Sequence, residues 1–302
     1  MKKITKLFTL TLSFLAVAII FYKFQGLHTI FRTSSRTSSH MSSMDSLANA
    51  SVDTSAQIVE SNSIEDVKKF IEPDTLFIFD YDNVLVEGKV DYGFDAWFCA
   101  MLGKLEEEGL SISDAMCKLL PIYEEIQRSA LVQAVEPGSK NLIEDLRKDG
   151  HKVMILTVRS LCLIEYVFRQ LKSVEINVER GAIPENGINS TLAKFGSKYL
   201  NGILFCDKCS KGPVLKVFLL GHPELSIKKI VFVDDKLKNL ESVKVSAQEL
   251  GIKFVGLRYA CTDARTKAYS LDEKSLMLAE SLVNQGDNKK ESGVRQQFPV
   301  SV

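Results

Sequence analysis

Acid is missing from the first 44 residues. That stretch carries Lys2, Lys3, Lys6, Lys23, Arg32 and Arg36 and no Asp or Glu. The 302-residue chain holds 38 basic and 38 acidic side chains, so from Asp45 onward 32 basic residues face 38 acidic ones, a net charge of −6. A folded body with that balance is a poor match to a nucleic-acid backbone, which excludes broad phosphate-backbone binding. Cysteine is sparse too: six in the chain are too few for a disulfide-built scaffold. Cys99, Cys117, Cys162 and Cys261 stand singly in apolar stretches and are expected as small buried hydrophobes. Cys206 and Cys209 form the one close pair, and His28, His40, His151 and His222 are scattered. A local disulfide or plain thiols therefore outrank zinc ligation for that pair. P-loop, zinc-protease and Gly-x-Ser-x-Gly patterns are all absent.

No uncharged apolar run reaches the ~20 residues of a comfortable membrane-spanning helix. The run that exists, Leu7 to Tyr22, is sixteen residues long and follows the basic segment Met1 to Lys6. That is the form of a secretory signal, with Ala16-Val17-Ala18 as a small-residue cleavage site. Because Ile19-Ile20-Phe21-Tyr22 carries the apolar run past that site, an N-terminal membrane anchor over residues 1–22 is the alternative. The expected location is exported: periplasmic or secreted, or membrane-attached through the N-terminus only. Residues 23–63, rich in Ser and Thr, have too little apolar surface to offset their ordering entropy and are expected to form a disordered linker. Residues 284–302 are expected to be a flexible tail, leaving 64–283 as the folded body.

Within the body, short apolar runs alternate with longer stretches of helical period, the pattern of an α/β protein with a parallel sheet flanked by helices. Strands are predicted at 75–79, 152–156, 202–205, 229–233 and 252–257. Helices are predicted at about 138–149, 161–172, 211–221 and 236–250, with Pro137-Gly138 as a start and Gly150 and Gly251 as stops. The stretch 86–136 is too long for a simple crossover. It holds Trp97, Phe98, Met101 and Leu102 at helical spacing, then a second helical pattern over about 112–131, and predicts a small helical cap. A second insertion, about 174–205, is expected as a hairpin or loop.

In an open parallel sheet, ligands bind outside the carboxyl ends of the strands. Three predicted strands end there in reactive residues: Asp80-Tyr81-Asp82, Thr157, and Asp234-Asp235. Lys211-Gly212 begins the helix just before the third. Phosphoryl transfer through an aspartyl-phosphate needs such a set: a carboxylate nucleophile, a proton donor, positive charge on the phosphoryl oxygens and a divalent metal. Paired carboxylates repel, so a cation is required to hold them, and Mg²⁺ is the hard ion that suits carboxylate and phosphate oxygens. Arg159 reads equally as a phosphate contact or a structural ion pair, and Asn239 as an anchor for the acidic loop or a turn cap. Trp97 and Phe98 read as cap core before pocket lining.

The order Asp80-x-Asp82-x-Val84, Thr157, Lys211 and Asp234-Asp235 resembles the four motifs of the haloacid dehalogenase (HAD) superfamily. The segments Phe79-Asp-Tyr-Asp-Asn-Val-Leu85, Leu156-Thr-Val-Arg-Ser160 and Val233-Asp-Asp-Lys236 resemble one branch of it, exported HAD-like proteins of intracellular Gram-negative bacteria. The likeness spans about 70–262 and implies a Rossmann-like core, an inserted cap, Mg²⁺ and phosphatase activity on a small phosphorylated molecule. Carried residue by residue, Asp80 matches the nucleophile and Asp82 the general acid/base that marks phosphohydrolases and phosphotransferases. Thr157 matches the phosphate-binding hydroxyl and Lys211 the stabilising lysine. Asp80, Asp82, Asp234 and Asp235 make up the expected metal set, with Asp82 contributing its main-chain carbonyl and Asp235 assisting from behind. Val84 stands where many members have Thr, which costs one hydroxyl. A phosphotransferase, or a non-catalytic binding or effector protein serving a host or envelope partner, are the alternatives.

Overall fold

The computed structural model describes residues 56–273 apart from position 91, together with positions 277 and 281. The expectations for residues 1–22, 23–55 and 284–302 lie outside the described residues. Nine strands run in chain order: β1 (Gln57–Ser61), β2 (Thr75–Phe79), β3 (Val86–Gly88), β4 (Val132–Ala134), β5 (Lys152–Thr157), β6 (Lys198–Leu200), β7 (Ile203–Phe205), β8 (Lys229–Asp234) and β9 (Lys253–Tyr259). The longer helices are α1 (Asp95–Glu107), α2 (Ile112–Ser129), α3 (Ser139–Lys148), α4 (Ile164–Ser173), α5 (Lys211–Leu220) and α6 (Leu237–Glu249). Seven strands form one sheet in the order β1-β9-β8-β2-β5-β7-β6, parallel throughout except for the β6–β7 hairpin at one edge. This is an α/β, Rossmann-like fold, as the alternation of runs predicts. No helix of the described residues is long and apolar enough to cross a membrane.

The central strand shows why the apolar runs were continuous. All five residues of β2 are buried, because helices cover both faces of the sheet. Phe77 and Phe79 point to one face with Ile155, Val231 and Val233, where they meet Leu142 and Leu146 of α3 and Val167 and Leu171 of α4. Leu76 and Ile78 point to the other with Met154, Ile230 and Phe232, against Val214 and Phe218 of α5 and Leu240 and Val243 of α6. Period-two alternation of the side chains thus divides one apolar run between two cores.

Gly212, in the first turn of α5, permits close helix packing. A Cβ there would lie 2.1 Å from the Ser242 carbonyl oxygen of α6, so only glycine fits without a shift. The Gly212 N–H also donates to Ser242 Oγ at 3.1 Å. That contact fixes where Lys211, the residue before it, enters the sheet's carboxyl end.

Between β2 and α3 lies the expected cap. The antiparallel pair β3–β4 forms its stem, and α1 and α2 pack on each other through Trp97, Met101, Leu105, Ala115, Leu119 and Ile126. Trp97 is core, as its spacing suggests. Two expectations need correction. The folded body starts before residue 64, because Gln57–Ser61 pairs in parallel with β9 as an edge strand. Cys99, Cys117 and Cys162 are exposed, not buried, and Cys261 is only partly buried. The insertion at 174–205 holds a hairpin, β6–β7, one of the two forms expected of it, and this hairpin extends the sheet.

Candidate active site

The site lies where β5, β2 and β8, adjacent and parallel, end together. Asp80 is the first residue after β2, and its N–H donates to the Val233 carbonyl at 2.9 Å, carrying the ladder with β8 one residue further. The chain then turns at once. Asn83 takes a left-handed conformation (φ 61°), one that Asn tolerates better than most side chains, and its N–H donates to the Val86 carbonyl at 2.9 Å. The Leu85 and Val86 N–H groups both return to the Tyr81 carbonyl, at 3.2 and 3.1 Å. This turn sends the two motif aspartates to different partners.

Asp80 faces β8 and α5. Lys211 Nζ, fully buried, lies 2.6 Å from Asp80 Oδ1 and 2.6 Å from Asp234 Oδ2, so one ammonium joins two carboxylates. The Tyr81 N–H donates to Asp80 Oδ1 at 2.7 Å. Asp234 is held further by the Lys236 N–H at 2.8 Å and by Asn239 Nδ2, 3.0 and 3.1 Å from its two oxygens. Asn83 Nδ2 donates to Asp235 Oδ2 at 3.0 Å. Asp80, Asp234 and Asp235 each bring a carboxylate oxygen within 4.8 Å of the others, and this is the metal-capable cluster found among the described residues.

That cluster is overcharged with acid. Burial pushes the Asp80 carboxyl well above its ordinary value, and Asp234 and Asp235 add to the rise against the opposing pull of Lys211. Burial likewise pushes Asp235 up to about 7, with Lys236 opposing and Asp234 and Asp95 reinforcing. Burial works against the Lys211 ammonium, but Asp234 and Asp80 outweigh it and hold its pKa above the usual lysine range. Three crowded carboxylate oxygens, opposed by Lys211 and Lys236, could hold a hard divalent cation, and their oxygen chemistry suits Mg²⁺.

Asp82 faces the other way, toward β5. Arg159 Nε donates to Asp82 Oδ2 at 2.9 Å and an Arg159 terminal nitrogen donates to Oδ1 at 2.7 Å, a bidentate pair in which the arginine is buried. The other terminal nitrogen donates to Gln170 Oε1 at 3.1 Å, and the guanidinium lies 4.5 Å over the Tyr81 ring. The side chain of Asp82 is outside the carboxylate cluster, in keeping with an expected part in the metal set that was its main-chain carbonyl alone. Thr157, fully buried at the end of β5, accepts the Arg159 N–H on its hydroxyl at 3.2 Å.

The fold therefore brings Asp80, Lys211, Asp234 and Asp235 into one cluster, with Thr157 and Asp82 joined to each other through Arg159. Asn239 is an anchor for the acidic loop, the first of its two readings, and Arg159 an ion pair, the second of its two. Sequence reasoning missed three contributors: Gln170, Asn83, and Lys236, whose Nζ meets Asp95 Oδ1 of the cap at 2.5 Å. The adjacency of Asn83 and Lys236 to the motif aspartates was the available signal. Gln170, eleven residues beyond Arg159 on α4, carried none.

Two curated relatives are named "Putative outer membrane protein". One, from Chlamydia trachomatis serovar D, is 25% identical over 195 residues, covering 65% of this chain and 72% of that protein. The other, from Chlamydia pneumoniae, is 26% identical over 219 residues, covering 71% and 81%. Among solved structures, a chain titled "Crystal structure of putative beta-phosphoglucomutase from Thermotoga maritima" matches with a TM-score of 0.35 at 18% identity, covering 71% of this chain and 99% of that one. A hydrolase from Pseudomonas syringae matches with a TM-score of 0.37 at 17% identity, covering 71% and 98%. The fold assignment rests on the strand order above. The family model described as "Protein of unknown function (DUF2608)" matches residues 60–282, nearly all of the folded body, and the chain belongs to that family.

Proposed function

We propose that the protein is a Mg²⁺-dependent phosphatase that hydrolyses a small phosphorylated molecule through an aspartyl-phosphate on Asp80. The observation that carries this is the salt-bridged cluster itself. Asp80, first after the central strand, shares the Lys211 ammonium with Asp234 at 2.6 Å on each side. In the first step an Asp80 oxygen forms a bond to phosphorus while the bond from phosphorus to the leaving oxygen breaks. Asp82 gives that oxygen its proton. In the second step Asp82 takes a proton from water, the water oxygen bonds to phosphorus, and the bond between Asp80 and phosphorus breaks to release phosphate. Lys211 and the Thr157 hydroxyl bind the phosphoryl oxygens and offset their charge. Asp80, Asp234, Asp235 and the Asp82 carbonyl would hold Mg²⁺, which supplies further positive charge against the phosphoryl group.

The cap would set substrate choice. Phe98 of α1 and Tyr123 of α2 meet edge to face with ring centres 5.3 Å apart, and Tyr123 lies in the electrostatic field of Arg159 and Asp82. Export is part of the same proposal, supported by the basic-then-apolar N-terminal segment and by the names of the chlamydial relatives. The test is phosphate release by the full-length protein from a panel of phosphate monoesters, with Mg²⁺ and with EDTA. Release that requires Mg²⁺ is expected. No release from any ester in the presence of Mg²⁺ would contradict the proposal.

A further inference from the structure

We propose that Arg159 is the positioning residue for proton transfer by Asp82, held for that task by a brace of Tyr81 and Gln170. The proposal rests on the phosphatase reading and adds a residue that its motifs do not supply. Five contacts define the brace. Arg159 grips both oxygens of Asp82, which fixes the plane of the carboxylate and not only its place. Its guanidinium is in turn fixed from the side by Gln170 Oε1 at 3.1 Å and from the face by the Tyr81 ring. Tyr81 Oη donates to the same Gln170 Oε1 at 2.7 Å. Gln170 Nε2 donates to the carbonyl of Ala130, the residue that closes α2, at 3.1 Å, so the brace ends on the root of the cap.

The chemistry needs such a device. Asp82 is only partly buried, with its side chain 23% exposed, and it lies in a tight turn where Arg159 is the side chain that holds its two oxygens. A general acid acts only when its oxygen points at the leaving group. Arg159 is almost wholly buried, with Asp82, Gln170 and the Tyr81 ring as its polar and aromatic partners. A surface-type ion pair would not be built this way, because burying a guanidinium is costly unless all of its surroundings are arranged for it. The brace also explains why the residue after Asp80 is a buried tyrosine: its ring carries the arginine and its hydroxyl the glutamine.

A positioning role separates from a merely structural one by leaving group. A dinitrophenolate leaves without a proton, whereas an alkoxide needs one from Asp82. The specificity constant kcat/KM reports only steps up to leaving-group departure. Wild type, Arg159→Lys and Tyr81→Phe, all full-length, should be compared on 2,4-dinitrophenyl phosphate and on a simple alkyl phosphate with Mg²⁺ present. Lysine keeps the charge and loses the fork. Arg159→Lys should lose roughly tenfold or more in kcat/KM on the alkyl ester beyond its loss on the dinitrophenyl ester, a part of the 10²–10⁴ that acid catalysis supplies. Tyr81→Phe, which removes one hydrogen bond from the brace and keeps the ring, should show the same direction at smaller size. It decides the question alone if Arg159→Lys does not fold. Equal losses on the two esters, or no loss on either, would overturn the positioning role while leaving the phosphatase reading intact. A wild-type protein inert on both esters would end that reading and this inference with it.

Discussion

Asp235 shows how much of this site is decided by single side chains. Its carboxyl, pushed up to about 7 by burial and by Asp234 and Asp95, binds a proton in the folded protein that the unfolded chain would release near 3.8. A raised carboxyl pKa contributes stability that is present below the unfolded value and is lost as pH rises through the folded one. In EDTA the melting temperature should therefore fall between about pH 4 and pH 7, and Asp235→Asn should flatten that fall. An identical pH slope in wild type and Asp235→Asn would contradict the account. Legibility was uneven at this scale. Asp80, Asp82, Thr157, Lys211, Asp234 and Asp235 could be picked out because each lies at or within three residues of a strand's carboxyl end or begins a helix. The pairing of Arg159 with Asp82 could not be, since 77 residues separate them and nothing local sets an arginine's reach.

At the scale of elements, β2, β5 and β8 were legible because helices on both faces require unbroken apolar runs. β1 was not. Gln57-Ile-Val-Glu-Ser61 is an edge strand that buries little, so its sequence stays polar and merges with the Ser-rich segment before it. The cap stem was hidden for a different reason: β3 and β4 are three residues each and find one another across the whole cap. Lys211-Gly212 was legible as a helix start, but the reason for the glycine is the approach of α5 to α6. Gly212→Ala places a Cβ 2.1 Å from the Ser242 carbonyl. Overpacking of that kind typically costs ~1–3 kcal/mol. Gly212→Ala should accordingly lower the melting temperature and, by shifting Lys211, weaken catalysis as well. A variant as stable as wild type would show that the two helices can separate freely.

Across the described residues, the sheet brings three strand ends, one helix start and a cap root to one edge, where three carboxylates that could hold a cation collect. A ligand that binds only the folded state stabilises it by RT ln(1 + [L]/Kd), or ~2.7 kcal/mol at a hundredfold excess over Kd. Millimolar Mg²⁺ should thus raise the melting temperature of wild type over that in EDTA, and Asp234→Asn should lose much of the gain. An unchanged melting temperature in wild type would count against a metal site in this cluster. The central claim is that Asp80 attacks phosphorus, and Asp80→Asn tests it most directly, because it removes the attacking charge and keeps the size. Phosphate release from the best ester of the panel should be measured for wild type and Asp80→Asn in Mg²⁺, alongside their thermal melts. The account predicts a folded variant with activity reduced to about a hundredth or less, within the range that nucleophile loss produces. A folded Asp80→Asn protein that releases phosphate at a rate comparable to wild type would contradict it.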